Sequence, residues 1–538
     1  MSDQTLWESY EQVGLVSRER LGYSLETAAR RNPHREFVLF SGERLSYAQI
    51  AAWVDRVAAD LVARGVQAHD RILVQAPNRP EVAVIQFAAW RIGAIAVPVI
   101  PVYRQHEMRH IVADSRPTVL AAASAVGSRN LCAELDEVAA EIGLAPTIRY
   151  DLDPAGTQDG WDQLPARDAE RAGVTLPEPA DPRDCHLILY TSGTTAAPKG
   201  AELTGAGILS NCRTMARTIG VGERDVFVAG SPIAHVAGMA MGVLLPLSLG
   251  ARFVLLPAWN ADAAIDLIEQ ERATFMSSAP VFLADLVDRY EGGAGAGHRL
   301  SIYMAGGAAA SPDLIRRADA LGIRASRIYG MTETAGVCSM ARPDDPLELR
   351  ATTEGQPPYG TEIQIVDELR EPLAAGETGE IRLRSPQLML RYTDPVATEN
   401  QIDAEGWFYP GDIGVLDAEG WFQMIGRFKD IINRGGEKFS AQDIEHALMS
   451  HPDVEVAAVV GAPDERLGEV VAAFVQLAPG VSWRGPEVLV AHLEERQLAK
   501  AKWPVQWHVL DEVPRSSTGK IQKNRLVAHL TDGAPAGR

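Results

Sequence analysis

Cysteine is scarce in this chain: Cys132, Cys185, Cys212 and Cys338 are the only four in 538 residues. They lie far apart and form no C-x-x-C pair, which argues against a disulfide framework and reads as reduced, buried thiols in a cytoplasmic protein. Positive charge is also short, with 51 Lys and Arg against 71 Asp and Glu and a formal net charge of −20. That balance argues against nonspecific nucleic-acid binding, so an anionic ligand has to be held by local positive charge. Long apolar runs are missing too. The most apolar stretch, Gly238 to Trp259, is broken by Pro246 and Arg252 and reads as core rather than a membrane span. The opening MSDQTLWESYEQ has neither a basic start nor an apolar stretch, so no signal peptide is expected. There is no solenoid repeat and no long low-complexity tract. The glycine-rich run Gly292 to Gly297 is not G-x-G-x-x-G, because His298 stands where the last glycine belongs.

What is present is a globular composition, 46% apolar, long enough for three or four units of ~150 residues each. Helix and strand patterns alternate through most of it. Ile50, Val54, Val57, Leu61 and Val62 have helical spacing and Gly65 follows as a stop; Arg71 to Ala76 reads as a strand, Glu81 to Ile92 as a helix, Ala94 to Ile100 as a buried strand. The alternation resumes with strands predicted at Phe253–Leu256, Phe275–Ser278 and Ser301–Ala305. Helices are predicted at Ala261–Glu271 and Val281–Tyr290, and Ser311-Pro312 forms an N-cap and first turn. This pattern predicts an α/β architecture with stacked, largely parallel sheets. Asp151 to Asp184, rich in Asp, Pro and Gly, reads as an irregular connection. From about Ile431 the character changes. A capping-box variant at Ser440–Asp443 opens a helix through Met449; strands at Val456–Val460 and Val470–Val475, a helix near Glu487–Leu498 and a strand at Val505–Leu510 follow. These predict a small α+β domain, with the boundary at the charged run Arg427-Phe428-Lys429-Asp430: residues 1–428 large, 429–538 small.

Five segments carry chemistry. Tyr190 to Gly200, YTSGTTAAPKG, follows the apolar run Leu187-Ile188-Leu189; its hydroxyls, backbone N–H groups and Lys199 suit phosphate oxygens. It is not a G-x-x-x-x-G-K-[ST] loop, because Lys199 precedes Gly200 and Ala201 follows. In Ile328 to Thr334, IYGMTET, Tyr329 can stack on a purine, Thr332 can donate to a phosphate and Glu333 can hold Mg²⁺. Asp412, after Tyr409-Pro410-Gly411, can accept from ribose hydroxyls. Gly426 to Asp430 with Arg434-Gly435-Gly436-Glu437 is the fourth segment. Pro514 to Lys520, PRSSTGK, is the fifth, a loop tipped by a lysine. Singly, each is more often a solvated turn or surface loop.

Together and in this order they resemble the adenylate-forming (AMP-binding) superfamily of acyl-CoA synthetases, luciferases and peptide-synthetase adenylation domains, from roughly Ser24 to Leu526. Within it the segments VPVIPVYRQHEMRHIV, SPIAHVAGMAMG and FKDIINRGGEKFSAQDIE look most like short- and medium-chain fatty acyl-CoA synthetases and cyclohexanecarboxylate–CoA ligase. The resemblance implies a large N-terminal domain with a β-barrel-like subdomain and a small mobile C-terminal lid. It implies two steps: a carboxylate attacks the α-phosphorus of Mg·ATP to give acyl-AMP, then a thiol takes the acyl group and releases AMP. By similarity, Thr191, Ser192, Gly193, Thr194, Thr195 and Lys199 cradle the β- and γ-phosphates. Tyr329, Gly330 and Met331 with Gly306, Gly307 and Ala308 flank adenine. Thr332 touches the α-phosphate, Glu333 with Thr191 the Mg²⁺, and Asp412 and Arg427 the ribose. Lys520 reaches the carboxylate and the α-phosphate in the first step. A hinge at Lys429 then withdraws it and presents Gly435-Gly436 beside the pantetheine arm, where paired glycines permit close backbone approach. The acyl pocket is lined by similarity by His235, Val236, Met239, Ala305, Gly306, Ala335 and Gly336, small or pliable groups without a charge, which favours a neutral alkyl or alicyclic acid. His235 reads equally as a gate or as a core histidine.

Three positions depart from the resembled pattern: Ala196 and Arg391 where glycine is usual, and Pro410 where threonine is usual. None removes a charged catalytic group, so activity is expected. A stand-alone enzyme that loads a carrier-protein phosphopantetheine is the alternative; no fused carrier domain is evident, which favours free CoA. Monomer and homodimer are both open. His106-Glu107-Met108-Arg109-His110 matches H-E-x-x-H, but so short a pattern arises readily by chance and no downstream ligand is recognisable, so a zinc centre is not expected.

Overall fold

The computed structural model describes residues 3–531 except 157, 192–197, 296, 428–429, 435–436, 465, 497 and 516–520, with side chains left out at 3–6, 437–438, 524 and 531. The described chain divides into two compact units, one of Met1–Glu362 with Arg384–Phe408, the other of Ile363–Leu383 with Tyr409–Arg538.

The first unit holds two eight-stranded sheets with helices between and around them. In one, parallel strands run outward from Arg252–Leu255 through Val226–Ala229, Phe275–Ser278, Ile302–Ala305 and Arg324–Met331, and an antiparallel strand closes each edge. The other centres on Arg71–Gln75, Ile95–Val99 and Val119–Ala122 in parallel, and its far side is the antiparallel pair Cys185–Thr191 with Lys199–Thr204. Central strands buried on both faces read as unbroken apolar runs, which is why Ile72-Leu73-Val74 and Ala96-Val97 are fully buried. The helix predicted around Ile50–Val62 spans Tyr47–Ala63, opened by a capping box between Ser46 and Gln49. Ser311 caps Pro312–Ala320 as expected, accepting from Leu314 N. Residues 151–184 are mostly irregular, with one short strand at Asp162–Gln163.

The second unit begins with the four-stranded sheet Glu362–Val366, Thr378–Arg384, Asp412–Leu416 and Phe422–Arg427. It continues into a five-stranded sheet built on the hairpin Val454–Asp464 and Gly468–Leu477, with Gln506–Val509 parallel to it. Alternation along the hairpin feeds two cores. Ala457, Val459, Val471 and Ala473 pack under Ile444, Leu448, Leu489 and Leu493; Ala458, Val460, Ala472 and Phe474 pack under Val513 and Leu526. The helix expected after Ser440 spans Ala441–Met449, but Ser440 does not cap it through its side chain. Its hydroxyl donates instead to the Ile425 carbonyl at 2.6 Å, tying this helix start to the preceding sheet.

Candidate active site

Three of the segments singled out in the sequence fall where parallel strands end, the usual position of ligands in such sheets. Thr191 ends Cys185–Thr191. Ala305 ends Ile302–Ala305 and runs into Gly306-Gly307-Ala308. Met331 ends Arg324–Met331 and leads into the single turn Thr332–Thr334. The chain then reverses through Ala335, at φ +51°, into Gly336–Met340, which pairs back so that Tyr329 faces Ser339 and Met331 faces Gly336. Two glycines are dictated by space. A Cβ on Gly306 would lie 2.6 Å from the Ile328 side chain, and one on Gly330 would lie 2.1 Å from the Gly336 carbonyl oxygen. The hairpin carrying Tyr329, Thr332 and Glu333 therefore closes only with hydrogen at those positions.

A residue the sequence reading passed over organises this edge. Tyr392 lies on the short strand Arg391–Tyr392, paired with Lys199–Thr204. Its hydroxyl donates to Glu333 Oε1 at 2.7 Å, and Lys199 Nζ sits 5.1 Å from its ring centroid. Lys199 Nζ also donates to Gln401 Oε1 at 3.0 Å, and Met389 N donates to the Glu333 carbonyl at 2.7 Å. One buried side chain thus holds the Lys199 ammonium over its face and the Glu333 carboxylate on its hydroxyl. Burial and the neighbouring Glu333 charge push the Tyr392 phenol far above its ordinary value, so it remains a neutral donor. Arg391, where glycine was expected, pairs with Glu202 at 3.1 Å across the same ladder, so the departure adds an ion pair rather than freeing the backbone.

Thr191 faces Lys199 across the strand pair and its hydroxyl reaches the Lys199 carbonyl at 3.5 Å. Ser192, Gly193, Thr194, Thr195 and Ala196, expected from the sequence at the phosphates, lie outside the described residues. So do Lys429, Gly435, Gly436 and Lys520. In the second unit, Asp412 and Arg427 are register partners on adjacent strands and pair at 3.2 Å, with Asp412 only 3% exposed. Pro410 leads into Gly411, whose φ of +76° makes the tight turn before Asp412.

Among the described residues there is no group of three or more His, Cys, Asp or Glu able to hold a metal. Mg²⁺ takes one or two carboxylates and draws its other ligands from substrate phosphates and water, and the Glu333 carboxylate in the turn Thr332–Thr334 fits that pattern. The two H-E-x-x-H histidines have different surroundings. His106 is exposed on helix Gln105–Ser115, and His110 Nε2 lies 2.8 Å from the Pro198 carbonyl.

The acyl-pocket candidates come from three stretches: His235 to Met239, the end of strand Ile302–Ala305 with Gly306, and Ala335 with the start of strand Gly336–Met340. His235 and Val236 precede a π-helical segment, Gly238–Leu244, that carries Met239. Helix Gly205–Ile219 packs against both this segment and strand Gly336–Met340. From it Asn211 donates to the Val337 carbonyl at 2.9 Å, and Gln387 donates to the same oxygen at 2.7 Å. Asn211 and Gln387 were not foreseen, because each is a lone buried amide in its segment. His235 is half-buried, and its Nδ1 accepts from Ala237 N at 3.3 Å.

Residues 25–393 match the AMP-binding enzyme family and residues 443–520 the AMP-binding enzyme C-terminal domain. The chain belongs to the AMP-binding enzyme family. It is 32% identical to the medium-chain fatty-acid–CoA ligase of Escherichia coli K12 over 96% of this chain and 91% of the relative. It is likewise 32% identical to the salicyl-AMP ligase / salicyl-S-ArCP synthetase of Mycobacterium tuberculosis, over 97% of this chain and 93% of the relative. The crystal structure of ATP-bound MatB from Rhodopseudomonas palustris superposes with a TM-score of 0.85 at 27% identity, covering 96% of this chain and 99% of that one. No helix among the described residues is long and apolar enough to cross a membrane.

If Tyr392 sets the orientation of Glu333, replacing it with Phe deletes one hydrogen bond and keeps the ring under Lys199. Tyr392→Phe is expected to raise the Mg²⁺ concentration needed for half-maximal pyrophosphate exchange by roughly tenfold, with little change in the concentration dependence on acid. A Mg²⁺ titration of variant and wild type reads this directly.

Proposed function

We propose that this protein is an AMP-forming carboxylic acid–CoA ligase acting on a neutral, largely apolar acid of medium-chain or alicyclic size. The observation that carries the reading is the Tyr392 side chain, which holds Lys199 over its ring and Glu333 on its hydroxyl in a chain of this family. A carboxylate is a poor electrophile, and its own charge repels it from a phosphate. Catalysis is therefore a matter of positioning and charge neutralisation. Lys199 and the hydroxyls of the preceding loop hold the β- and γ-phosphates. Thr332 donates to the α-phosphate, Tyr329 backs the adenine and Asp412 accepts from the ribose hydroxyls. A Mg²⁺ held by Glu333 would supply further neutralisation of the triphosphate. Lys520 brings positive charge to the acid and the α-phosphate. The acid oxygen forms its bond to the α-phosphorus as the bond to pyrophosphate breaks. In the second step the thiol sulfur adds to the acyl carbonyl, its proton leaves, and AMP departs. Residues 429–538 act as the lid, turning about Lys429 between the steps. Four free cysteines fit a reducing, cytoplasmic setting.

A carrier-protein thiol is the second reading, favoured by the likeness to the salicyl-AMP ligase / salicyl-S-ArCP synthetase. Both acceptors present the same phosphopantetheine arm. A panel of carboxylic acids with ATP and Mg²⁺, scored for AMP release with CoA and with a phosphopantetheinylated carrier protein, separates them. Mass detection of the thioester then identifies acid and acceptor together. AMP release with CoA supports the ligase; release with the carrier alone supports the second reading; acid-independent ATP turnover defeats both.

A further inference from the structure

The helix Pro80–Arg91 is buried along nearly its whole length, and from Val82 to Trp90 Gln86 is its one polar residue. Gln86 is 1% exposed, yet neither its carboxamide oxygen nor its nitrogen has a hydrogen-bond partner. The neighbouring polar group on the same face is satisfied, since Trp90 Nε1 donates to the His186 carbonyl at 2.8 Å. Gln86 lines a narrow crevice with Ala83, Phe87 and Trp90 on one side and Ile233, Met239 and Val243 on the other. The spacing of 83, 86, 87 and 90 is one face of a helix. The opposite wall belongs to the turn before His235 and to the π-helical segment, a backbone form that recurs at functional sites. Met239 is thus common to this crevice and to the acyl-pocket residues. The turn itself is fixed in place, because Asn78 donates to the Ser231 and Leu256 carbonyls at 3.0 Å and accepts from Ile233 N at 2.8 Å.

An amide buried without partners is costly, and an apolar residue of the same size would remove the cost. The amide offers an N–H₂ donor and a carbonyl acceptor in otherwise apolar walls, with no charge alongside. We propose that Gln86 is a specificity-determining residue at the far end of the acyl pocket and that it recognises acids bearing a neutral hydrogen-bonding group, a hydroxyl or a carboxamide, distal to the carboxylate. This rests on the acid-ligase reading above. A site built to bond a distal hydroxyl discriminates against the methyl analogue more strongly than an apolar pocket discriminates between chain lengths.

The test uses the full chain, and pyrophosphate exchange with simple acids first establishes that adenylation occurs. If no acid supports exchange, the ligase reading fails, and the specificity proposal fails with it. Given exchange, kcat/KM is compared for matched pairs of acids: hexanoic, octanoic and decanoic against their ω-hydroxy forms, and phenylacetic against hydroxyphenylacetic. Wild type is expected to favour the hydroxylated member of at least one pair by roughly tenfold. Gln86→Met and Gln86→Leu are expected to lose or reverse that preference. Preference for the unhydroxylated acid in every pair by wild type, or an unchanged order in both variants, overturns the proposal and leaves adenylation intact. The wild-type comparison stands alone if neither variant folds.

Discussion

Lys520→Ala is expected to abolish carboxylate-dependent pyrophosphate exchange, by roughly a thousandfold, while thioester formation from supplied acyl-AMP stays within about threefold of wild type. The asymmetry follows from charge. Formation of acyl-AMP brings a carboxylate against the α-phosphate, and a cation aimed at both offsets a repulsion that no longer exists once the anhydride is made. Lys520 lies outside the described residues, but the described residues on either side of it are tied together. Arg515 pairs with Ile521, and Gln522 N donates to the Pro514 carbonyl at 2.8 Å, so the feet of the segment are pinned together. The helix that follows, Lys523–Thr531, is fixed by Lys523 Nζ against Glu445 Oε1 at 2.7 Å and by Leu526 in the core. Glu445 also accepts from Val459 N at 2.7 Å; burial raises its pKa, an effect that the Lys523 ammonium opposes. Paired half-reaction assays on one preparation read the outcome, and equal loss in both halves rules out a lysine used in one step only.

Glu333→Gln is the second large effect, an expected fall of roughly a hundredfold in pyrophosphate exchange at fixed Mg²⁺, partly recovered at high Mg²⁺. The substitution keeps the shape and an oxygen that can accept from the Tyr392 hydroxyl, so the fold should lose little stability. What disappears is the charge. Thermal unfolding and a Mg²⁺ titration on the same sample separate the two. A large drop in Tm would mean that Glu333 is mainly a structural partner of Tyr392, and the metal role would then fall.

Much of the architecture could be read from periodicity, because it depends on local patterns. Helix Tyr47–Ala63 and strands Arg71–Gln75 and Phe275–Ser278 follow from spacing alone, and Ser311 from capping chemistry. The Ser440 cap was misread because the hydroxyl has a better partner, the Ile425 carbonyl, on a neighbouring strand. Tyr392 was illegible for the same reason on a larger scale. A two-residue strand has no period, and its partners Glu333 and Lys199 arrive from far along the chain. Gln86 shows the reverse. Its helix was evident, but polarity in a helical pattern suggests a wet face, and only packing reveals that this amide is dry.

The most direct test of the account is the fate of the acid's oxygen. With oxygen-18 in the carboxylate, a turnover with ATP, Mg²⁺ and CoA should place one labelled oxygen in AMP, and omission of the thiol should let the labelled acyl-adenylate accumulate with pyrophosphate. Label in inorganic phosphate alongside ADP, or unlabelled AMP, would contradict attack by the carboxylate at the α-phosphorus.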